Sequence, residues 1–205
     1  MGLYNKYILP KLINCACAVG PVSKQRAKVV PLAQGKVLEI GIGGGLNLPF
    51  YNPSSVEQVL GLDPSAELLA TIRPRLGQGP FEVKLLHAAA EAIPLADHSV
   101  DTVLITYTLC SISDVGLALS EMKRVLKPDG QLLFCEHGAA PDPAVLQWQN
   151  RINPLWKMLG GGCNLNRRIP DLIAEGGFNI KDLQTMYIPG WKPACFNYWG
   201  KANII

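Results

Sequence analysis

Four closely spaced glycines follow an apolar run near position 40. The stretch reads VLEIGIGGG over residues 37–45, with Glu39 ahead of Gly41, Gly43 and Gly45. Glycine adopts positive φ without strain and has no Cβ, so a ligand can approach its backbone closely. The pattern is typical of the turn after the first strand of an open α/β sheet, where such sheets bind nucleotide-containing ligands.

Two classes of ligand use such a turn. A dinucleotide site usually requires G-x-G-x-x-G, whose third glycine lets the phosphate-binding helix pack closely. Here Leu46 stands at the third position, and Glu39 would place a negative charge beside the pyrophosphate. S-adenosylmethionine has no phosphate and carries an ammonium and a sulfonium, so the residues favour it over a dinucleotide.

A carboxylate ends the next apolar run, LGLD at residues 60–63. At the tip of a strand, Asp63 can accept hydrogen bonds from both hydroxyls of an adenosine ribose. In the sequence Asp63-Pro64-Ser65 the same carboxylate can instead cap a helix. Its pairing with the glycine turn favours ligand binding, although this pair of motifs alone does not separate a nicotinamide cofactor from S-adenosylmethionine.

Short, mostly apolar runs alternate with helical patterns and would position these residues. Asp114 is a predicted N-cap for a helix whose apolar residues recur at helical spacing as far as Leu126, and KPDG at 127–130 ends it. Such alternation predicts a doubly wound α/β sheet with right-handed crossovers. The predicted strands are 36–40, 58–62, 81–87, 99–106 and 131–136; a helix near 169–175 and β-like runs at 183–188 and 196–202 follow.

The composition is that of a globular domain. The chain has 205 residues, 48% of them hydrophobic, and a net charge of +3, without the basic stripe of a nucleic-acid-binding protein. Six cysteines at irregular spacing suggest neither a metal site nor a disulfide scaffold, so we expect a reducing, cytoplasmic environment. Cys110 and Cys135 lie within apolar runs and are predicted to be buried thiols.

The N-terminal residues 7–19 are apolar but interrupted by Pro10, Lys11 and Asn14. The run is shorter than the roughly 20 apolar residues that a membrane-spanning helix needs. We expect a helix that docks on the domain. The flanking basic residues leave open an alternative, peripheral contact with an anionic membrane surface.

Several further motifs make a family resemblance plain. With the glycine turn and Asp63, the stretches AAEAIP (89–94), DTVL (101–104) and LKPDGQLL (126–133) resemble the successive motifs of class I S-adenosylmethionine-dependent methyltransferases. Shorter signatures are similar to the microsomal alkyl-thiol methyltransferases of the methyltransferase-like group. These are Tyr4-Asn5, Leu109-Cys110-Ser111, Glu136-His137, Trp148, PLW at 154–156 and GCNL at 162–165.

The resemblance implies a single domain over 1–205. Its fold would be a doubly wound, mostly parallel, seven-stranded Rossmann-like sheet with an antiparallel C-terminal strand. An N-terminal helical cover (1–33), a cofactor-binding core (34–140) and a substrate-side segment with a terminal hairpin (141–205) would follow one another. The microsomal relatives' membrane location is not carried over, because no anchoring segment precedes Tyr4 in this sequence.

The resemblance also implies roles for residues of the cofactor site. Glu39 and the three glycines named above would face the methionine part, Asp63 with Pro64 would hold the ribose, and Thr106 and Leu109 would border the methyl group. Many relatives have an aspartate where this chain has Ala89, so contact with the adenine would fall to Ala90 and Glu91. The product would be S-adenosylhomocysteine.

The acceptor side offers fewer signals. His137, next to Glu136 at the predicted tip of a strand, is either a general base or a histidine held structurally by that carboxylate. Tyr4, Trp148 and Asn164 are predicted to contact the acceptor, with Trp156 and Trp191 as further aromatic walls; each is also explained as a core or turn residue.

The acceptor is expected to be a small, fairly apolar molecule, with an alkyl thiol favoured. A thiol of pKa near 8.5 ionises without a strong base. The alternatives are a quinol or phospholipid headgroup at a membrane surface, or a cofactor-binding regulatory or scaffold protein without catalysis. No metal and no nucleic acid are expected, and the sequence does not indicate an oligomeric state.

Overall fold

The structure is a computed structural model and describes residues 17–77 and 79–205. Tyr4 and most of the predicted N-terminal helix lie outside the described residues. The helices are α1 Gly20–Val29, α2 Ala66–Ile72, α3 Val115–Val125, α4 Pro143–Leu159 and α5 Ile169–Glu175. The strands are β1 Gly35–Ile40, β2 Val56–Asp63, β3 Glu82–His87, β4 Val100–Thr106, β5 Leu126–His137, β6 Phe178–Tyr187 and β7 Phe196–Ile204.

The seven strands form one sheet in the order β3-β2-β1-β4-β5-β7-β6. The strands from β1 to β5 pair in parallel, whereas β7 runs antiparallel to both β5 and β6. The chain order reverses between β1 and β4, which is the switch point where open α/β sheets bind ligands. The predicted mixed sheet and its terminal antiparallel hairpin are confirmed.

Apolar side chains cover both faces of the sheet, as double winding requires. Leu38 and Val103 belong to the cluster that packs with α3 and α5. Val37 and Leu104, their neighbours in sequence, belong to the cluster that includes Val29 at the end of α1. Because successive strand residues point to opposite faces, near-continuous apolar runs are what a sheet covered on both sides needs.

Two segments differ from the prediction. β5 begins at Leu126, which pairs with Val100, and the KPDG residues bulge out before the ladder resumes at Gln131. The region after 140 holds α4, a 17-residue helix that continues through Pro154 and was not predicted. Proline in a helix interior removes a hydrogen bond and usually marks a break. Within the described residues, no helix combines the length and apolar character needed to cross a bilayer.

Candidate active site

The glycine turn leaves β1 toward the carboxyl edge of the sheet. Gly41 and Gly43 have φ of 71° and 54°, in the left-handed region that favours glycine. A Cβ on Gly41 would lie 2.3 Å from Oγ1 of Thr108, whereas a Cβ on Gly43 would meet nothing closer than 3.9 Å. The turn is therefore held tightly at Gly41 and leaves open space beside Gly43.

A groove of about 380 Å³ lies beside this turn, within the size range of small-ligand sites. It is bordered by the last residues of β1 and β2 and by the turn that follows β4. Five of the predicted cofactor residues line it: Gly41, Pro64, Ala89, Ala90 and Glu91. Four residues line it from the β4 side: Thr108, Ser111, Ile112 and Ser113. None of them was predicted to bind the cofactor, and Ser111 was noted only as part of the Leu109-Cys110-Ser111 signature.

Asp63 joins the end of β2 to the glycine turn. Its Oδ2 accepts a hydrogen bond from the N–H of Gly43 at 2.9 Å, and its Oδ1 accepts from the N–H of Ser65 at 2.8 Å. Ser65, not Asp63, caps α2 by accepting from Leu68, so the helix-cap interpretation of Asp63 is wrong. Burial raises the pKa of Asp63, against the opposing effect of the two backbone hydrogen bonds.

Glu39 lies beneath the turn, in a buried polar network. It accepts hydrogen bonds from Nδ2 of Asn47 at 2.9 Å and from the hydroxyl of Tyr51 at 2.7 Å. Burial raises its pKa from 4.5 to about 7. Strand alternation explains this position, because Glu39 shares the face of Val37, which packs toward α1. The structure therefore places Glu39 under the groove and not among the residues that line it.

Thr106 belongs to the same network. Nη1 of Arg26, on α1, donates to Oγ1 of Thr106 at 2.6 Å and to Oδ1 of Asn47 at 2.7 Å. The network thus ties α1 to the ends of β1 and β4. Because Thr106 is buried there, the next threonine, Thr108, lines the groove instead.

The turn after β4 is held from below by Glu136. Its Oε1 accepts from the N–H groups of Thr108 at 2.8 Å and Leu109 at 3.0 Å, and burial raises its pKa. The side chain of Leu109 is fully buried in the core, and so it does not border the groove as predicted. Leu109 acts through its backbone, which helps to fix the turn.

A second cavity, of about 340 Å³, adjoins the groove and shares Ser111 with it. Its walls come from the region of α1, the turn after β4, the end of β5, the end of α4 and the segment between β6 and β7. Most of the lining is apolar, with four thiols and one imidazole. Its residues include Val22, Tyr107, Trp156, Leu165 and Ile188, together with Cys17, Cys110, His137, Cys163 and Cys195.

His137 lines this cavity, as the acceptor-side prediction requires, but its partner is not Glu136. Its Nε2 lies 3.3 Å from Sγ of Cys163. Burial lowers the pKa of His137, but the neighbouring Cys163 and Glu136 raise it more, so the net direction is upward. Sγ of Cys110 belongs to the same group: the three donor atoms all lie within 4.8 Å of one another.

Two predicted acceptor residues lie elsewhere. Trp148 is 57% exposed on α4, and Trp156, two turns further along the helix, lines the cavity instead. Asn164 is buried, and its Nδ2 donates to the carbonyl groups of Cys110 and Gly162, both at 2.9 Å. Its amide thus holds the loop after α4 against the turn after β4, which agrees with its interpretation as a structural residue.

Both buried-thiol predictions are confirmed: Cys110 is 2% exposed and Cys135 is fully buried. The irregular spacing of the cysteines, however, concealed the cluster that the fold assembles from positions 110, 137 and 163. Such a cluster is visible only once the strand order and the loop after α4 are known.

Comparisons with known proteins show which sequences and folds this chain resembles. A family model described as a methyltransferase domain matches residues 38–134. The chain is 33% identical to rat thiol S-methyltransferase TMT1B over 81% of this chain and 69% of that protein. It is 28% identical to a demethylmenaquinone methyltransferase of Thermus thermophilus over 83% of this chain and 88% of that protein.

Solved structures have the same fold. An S-adenosylmethionine-dependent methyltransferase from Thermotoga maritima superimposes with a TM-score of 0.68 at 22% identity, over 97% of this chain and 99% of that one. At this level of identity the likeness is evidence of fold.

Proposed function

Because the chain belongs to the S-adenosylmethionine-dependent methyltransferases, we propose that it transfers the methyl group to a small, fairly apolar thiol by direct in-line displacement. One observation carries the proposal: the groove beside the glycine turn meets a thiol-lined apolar cavity at Ser111. A donor in the groove and an acceptor in the cavity would meet there. The relatives named thiol S-methyltransferases support the choice of a thiol.

The residues that border the groove are of types that would bind S-adenosylmethionine. Open space beside Gly43 admits a ligand against the backbone, and the side of the groove at Ala89, Ala90 and Glu91 would take the adenine. Asp63 would receive the ribose hydroxyls through lone pairs that remain beside its two backbone hydrogen bonds. We therefore retain these assignments as proposals, with Thr108 and Ser111 added on the methyl side.

The residues that line the cavity suit an acceptor that loses its proton without help from a general base. Among the described residues that line it, none is Asp, Glu, Lys or Arg. A thiol, with a pKa near 8.5, is partly ionised near neutral pH, whereas a phenol near 10 depends more on a base. The apolar walls would bind the hydrocarbon part of the acceptor.

The bound cofactor supplies an activated methyl group on a sulfonium, so the chain's task is alignment. The walls must hold the acceptor sulfur at near-attack distance, roughly 3–3.5 Å, and keep water out. Trp156 and Trp191, whose ring centres are 5.7 Å apart, pack together beside the cavity and would help exclude water.

A second candidate acceptor is a quinol or lipid headgroup at a membrane surface. Leu155, Met158 and Leu159 are more than half exposed near the end of α4, and Trp191 is 54% exposed. Some relatives are named demethylmenaquinone methyltransferases. An apolar surface beside the cavity would let a membrane-dissolved acceptor reach it.

The test uses methyl-labelled S-adenosylmethionine with a panel of alkyl thiols, phenols, quinols and lipid extract. Label on an alkyl thiol supports the proposal. Label only on a quinol or lipid, together with cosedimentation on anionic vesicles, favours the second candidate. Binding of S-adenosylhomocysteine without transfer to any acceptor would point to a cofactor-binding scaffold and contradict both.

A further inference from the structure

Three metal-ligating side chains from separate segments meet in the wall of the acceptor cavity. Cys110 comes from the turn after β4, His137 from the end of β5, and Cys163 from the loop after α4. Their donor atoms all lie within 4.8 Å of one another, and Sγ of Cys163 is 3.3 Å from Nε2 of His137.

The spacing and chemistry of these atoms match a soft or borderline cation. Tetrahedral zinc bound at about 2.3 Å to sulfur and about 2.0 Å to nitrogen places its ligand atoms roughly 3.3–3.8 Å apart. The contact between Cys163 and His137 already has this separation, and small side-chain rotations would bring in Cys110. Two thiols and one imidazole are ligands that zinc prefers over hard, oxygen-binding cations.

The surroundings of the cluster hold its members in place. Nε1 of Trp156 donates to Sγ of Cys163 at 3.4 Å, and such N–H groups support a thiolate ligand. The N–H and Nδ2 of Asn164 both donate to the carbonyl of Cys110 at 2.9 Å. The loops that carry the two cysteines are therefore joined by hydrogen bonds before any ion arrives.

We propose that Cys110, His137 and Cys163 form a site for a zinc-class divalent cation. Three protein ligands leave a fourth tetrahedral position open, which is the pattern of catalytic and not structural zinc sites. Sγ of Cys110 is 3.4 Å from Oγ of Ser111, the residue common to groove and cavity. The cluster therefore lies beside the junction where the acceptor would meet the methyl group.

The role of this site in catalysis rests on the proposed thiol acceptor. A bound cation would favour the thiolate form of the acceptor, whose proton would go to solvent and whose sulfur would keep the electron pair that attacks the methyl carbon. The new carbon–sulfur bond forms as the carbon–sulfonium bond breaks. The products are a neutral thioether and S-adenosylhomocysteine. In this arrangement His137 is a ligand and needs to move no proton.

The first test requires no acceptor and no activity. The full chain, freed of metal by chelation under reducing conditions, is titrated with Co²⁺, whose absorption reports tetrahedral thiolate ligation, and then with Zn²⁺ as competitor. We expect thiolate-to-cobalt absorption that Zn²⁺ abolishes at one equivalent. Absence of that absorption in the wild-type protein would overturn the site, whatever any variant does.

Variants then locate the ligands. Cys163→Ser should reduce Zn²⁺ affinity at least a hundredfold, and Cys110→Ser should act similarly. Cys195→Ser removes a thiol from the same cavity but outside the cluster, so it should leave the affinity for Zn²⁺ within threefold of wild type. Equal losses in all three variants would overturn the assignment. Circular dichroism shows whether each variant is still folded. In the wild type, Zn²⁺ should slow alkylation of Cys110 and Cys163 at least tenfold if these two thiols bind the metal.

Activity finally distinguishes the two proposals. If both hold, chelation lowers thiol methylation at least tenfold and Zn²⁺ restores it. Metal binding at the cluster without methylation of any thiol would contradict the proposed acceptor and leave the site standing. Thiol methylation that continues unchanged in a chelator would contradict the catalytic role of the metal and leave the acceptor standing.

Discussion

The two cavities that meet at Ser111 are built in different ways. The groove is bordered by short segments that follow successive strands, and the glycine turn beside it is fixed by the backbone N–H of Gly43, which donates to the carboxylate of Asp63. The acceptor cavity is built from side chains of five distant segments, most of them apolar or thiol-bearing. The groove is therefore suited to one invariant ligand, whereas single substitutions in the acceptor cavity can change which molecule it binds.

The largest expected effect comes from the glycine turn. Gly41→Val would place a Cβ 2.3 Å from Oγ1 of Thr108, at a φ that disfavours side chains. Strain and overpacking together should lower the free energy of unfolding by about 2–6 kcal/mol and weaken binding of S-adenosylhomocysteine. Denaturant unfolding and calorimetry measure the two effects.

Gly20→Val is the matched control, since a Cβ on Gly20 meets nothing within 4 Å. If Gly41→Val matched this control in both measurements, Gly41 would be neither sterically constrained nor needed for cofactor binding.

The buried network under the turn predicts a dependence of stability on pH. The folded protein raises the pKa of Glu39 from 4.5 to about 7 through burial, so it binds a proton more tightly than the unfolded chain. Stability from this group is present below pH 4.5 and is lost as the pH rises through 7, by about 3 kcal/mol.

Glu39→Gln should remove this loss, so the difference in unfolding free energy between wild type and variant should change across pH 4.5–8. Parallel curves for the two proteins would show that Glu39 does not titrate in this range. Arg26, Asn47, Tyr51 and Asp63 face this carboxyl group, so the comparison is made with those residues intact.

The junction of the two halves can be blocked directly. Ser111→Phe should fill the passage between groove and cavity and lower methyl transfer about a hundredfold, as misplacement of reacting groups does. Binding of S-adenosylhomocysteine should change much less than transfer. Ser120→Phe, the same change on an exposed position of α3, is the control. Equal transfer by both variants would mean that donor and acceptor meet elsewhere.

The smallest effect separates the two acceptor candidates. Trp148→Ser, on the exposed face of α4, should change the free energy of unfolding by less than about 0.5 kcal/mol and leave transfer to a thiol in solution intact. Reduced cosedimentation with anionic vesicles, accompanied by reduced transfer to a membrane-dissolved quinol, would instead favour the second candidate.

The contrast between the halves also explains what the sequence could reveal. The glycine turn, Asp63 and the stretch at 89–91 are local patterns that follow apolar runs, and the strands and α3 were predicted for the same reason. Glu39 was assigned to the cofactor by motif alone, but strand alternation turns it toward α1. Side-chain direction at the end of a strand needs the register, which spacing alone does not give.

The acceptor side could not be predicted in the same way. Pro154 concealed α4, since a proline within a helical pattern usually marks its end. The cluster of Cys110, His137 and Cys163 depends on three segments that meet only after the sheet has formed. Thr108 carries no sequence signal, and Ser111 was noted only within the Leu109-Cys110-Ser111 signature, so only their position after β4 identifies them as groove residues.

The most direct test of the central claim is kcat/KM for a series of linear alkyl thiols of increasing length. If apolar walls bind the acceptor, each added methylene should raise kcat/KM about fourfold, from roughly 0.8 kcal/mol of burial, until the cavity of about 340 Å³ is filled. The affinity for S-adenosylhomocysteine belongs to the other cavity and should stay constant. Values of kcat/KM that do not depend on chain length, or no turnover of any thiol beside turnover of a quinol, would contradict the account.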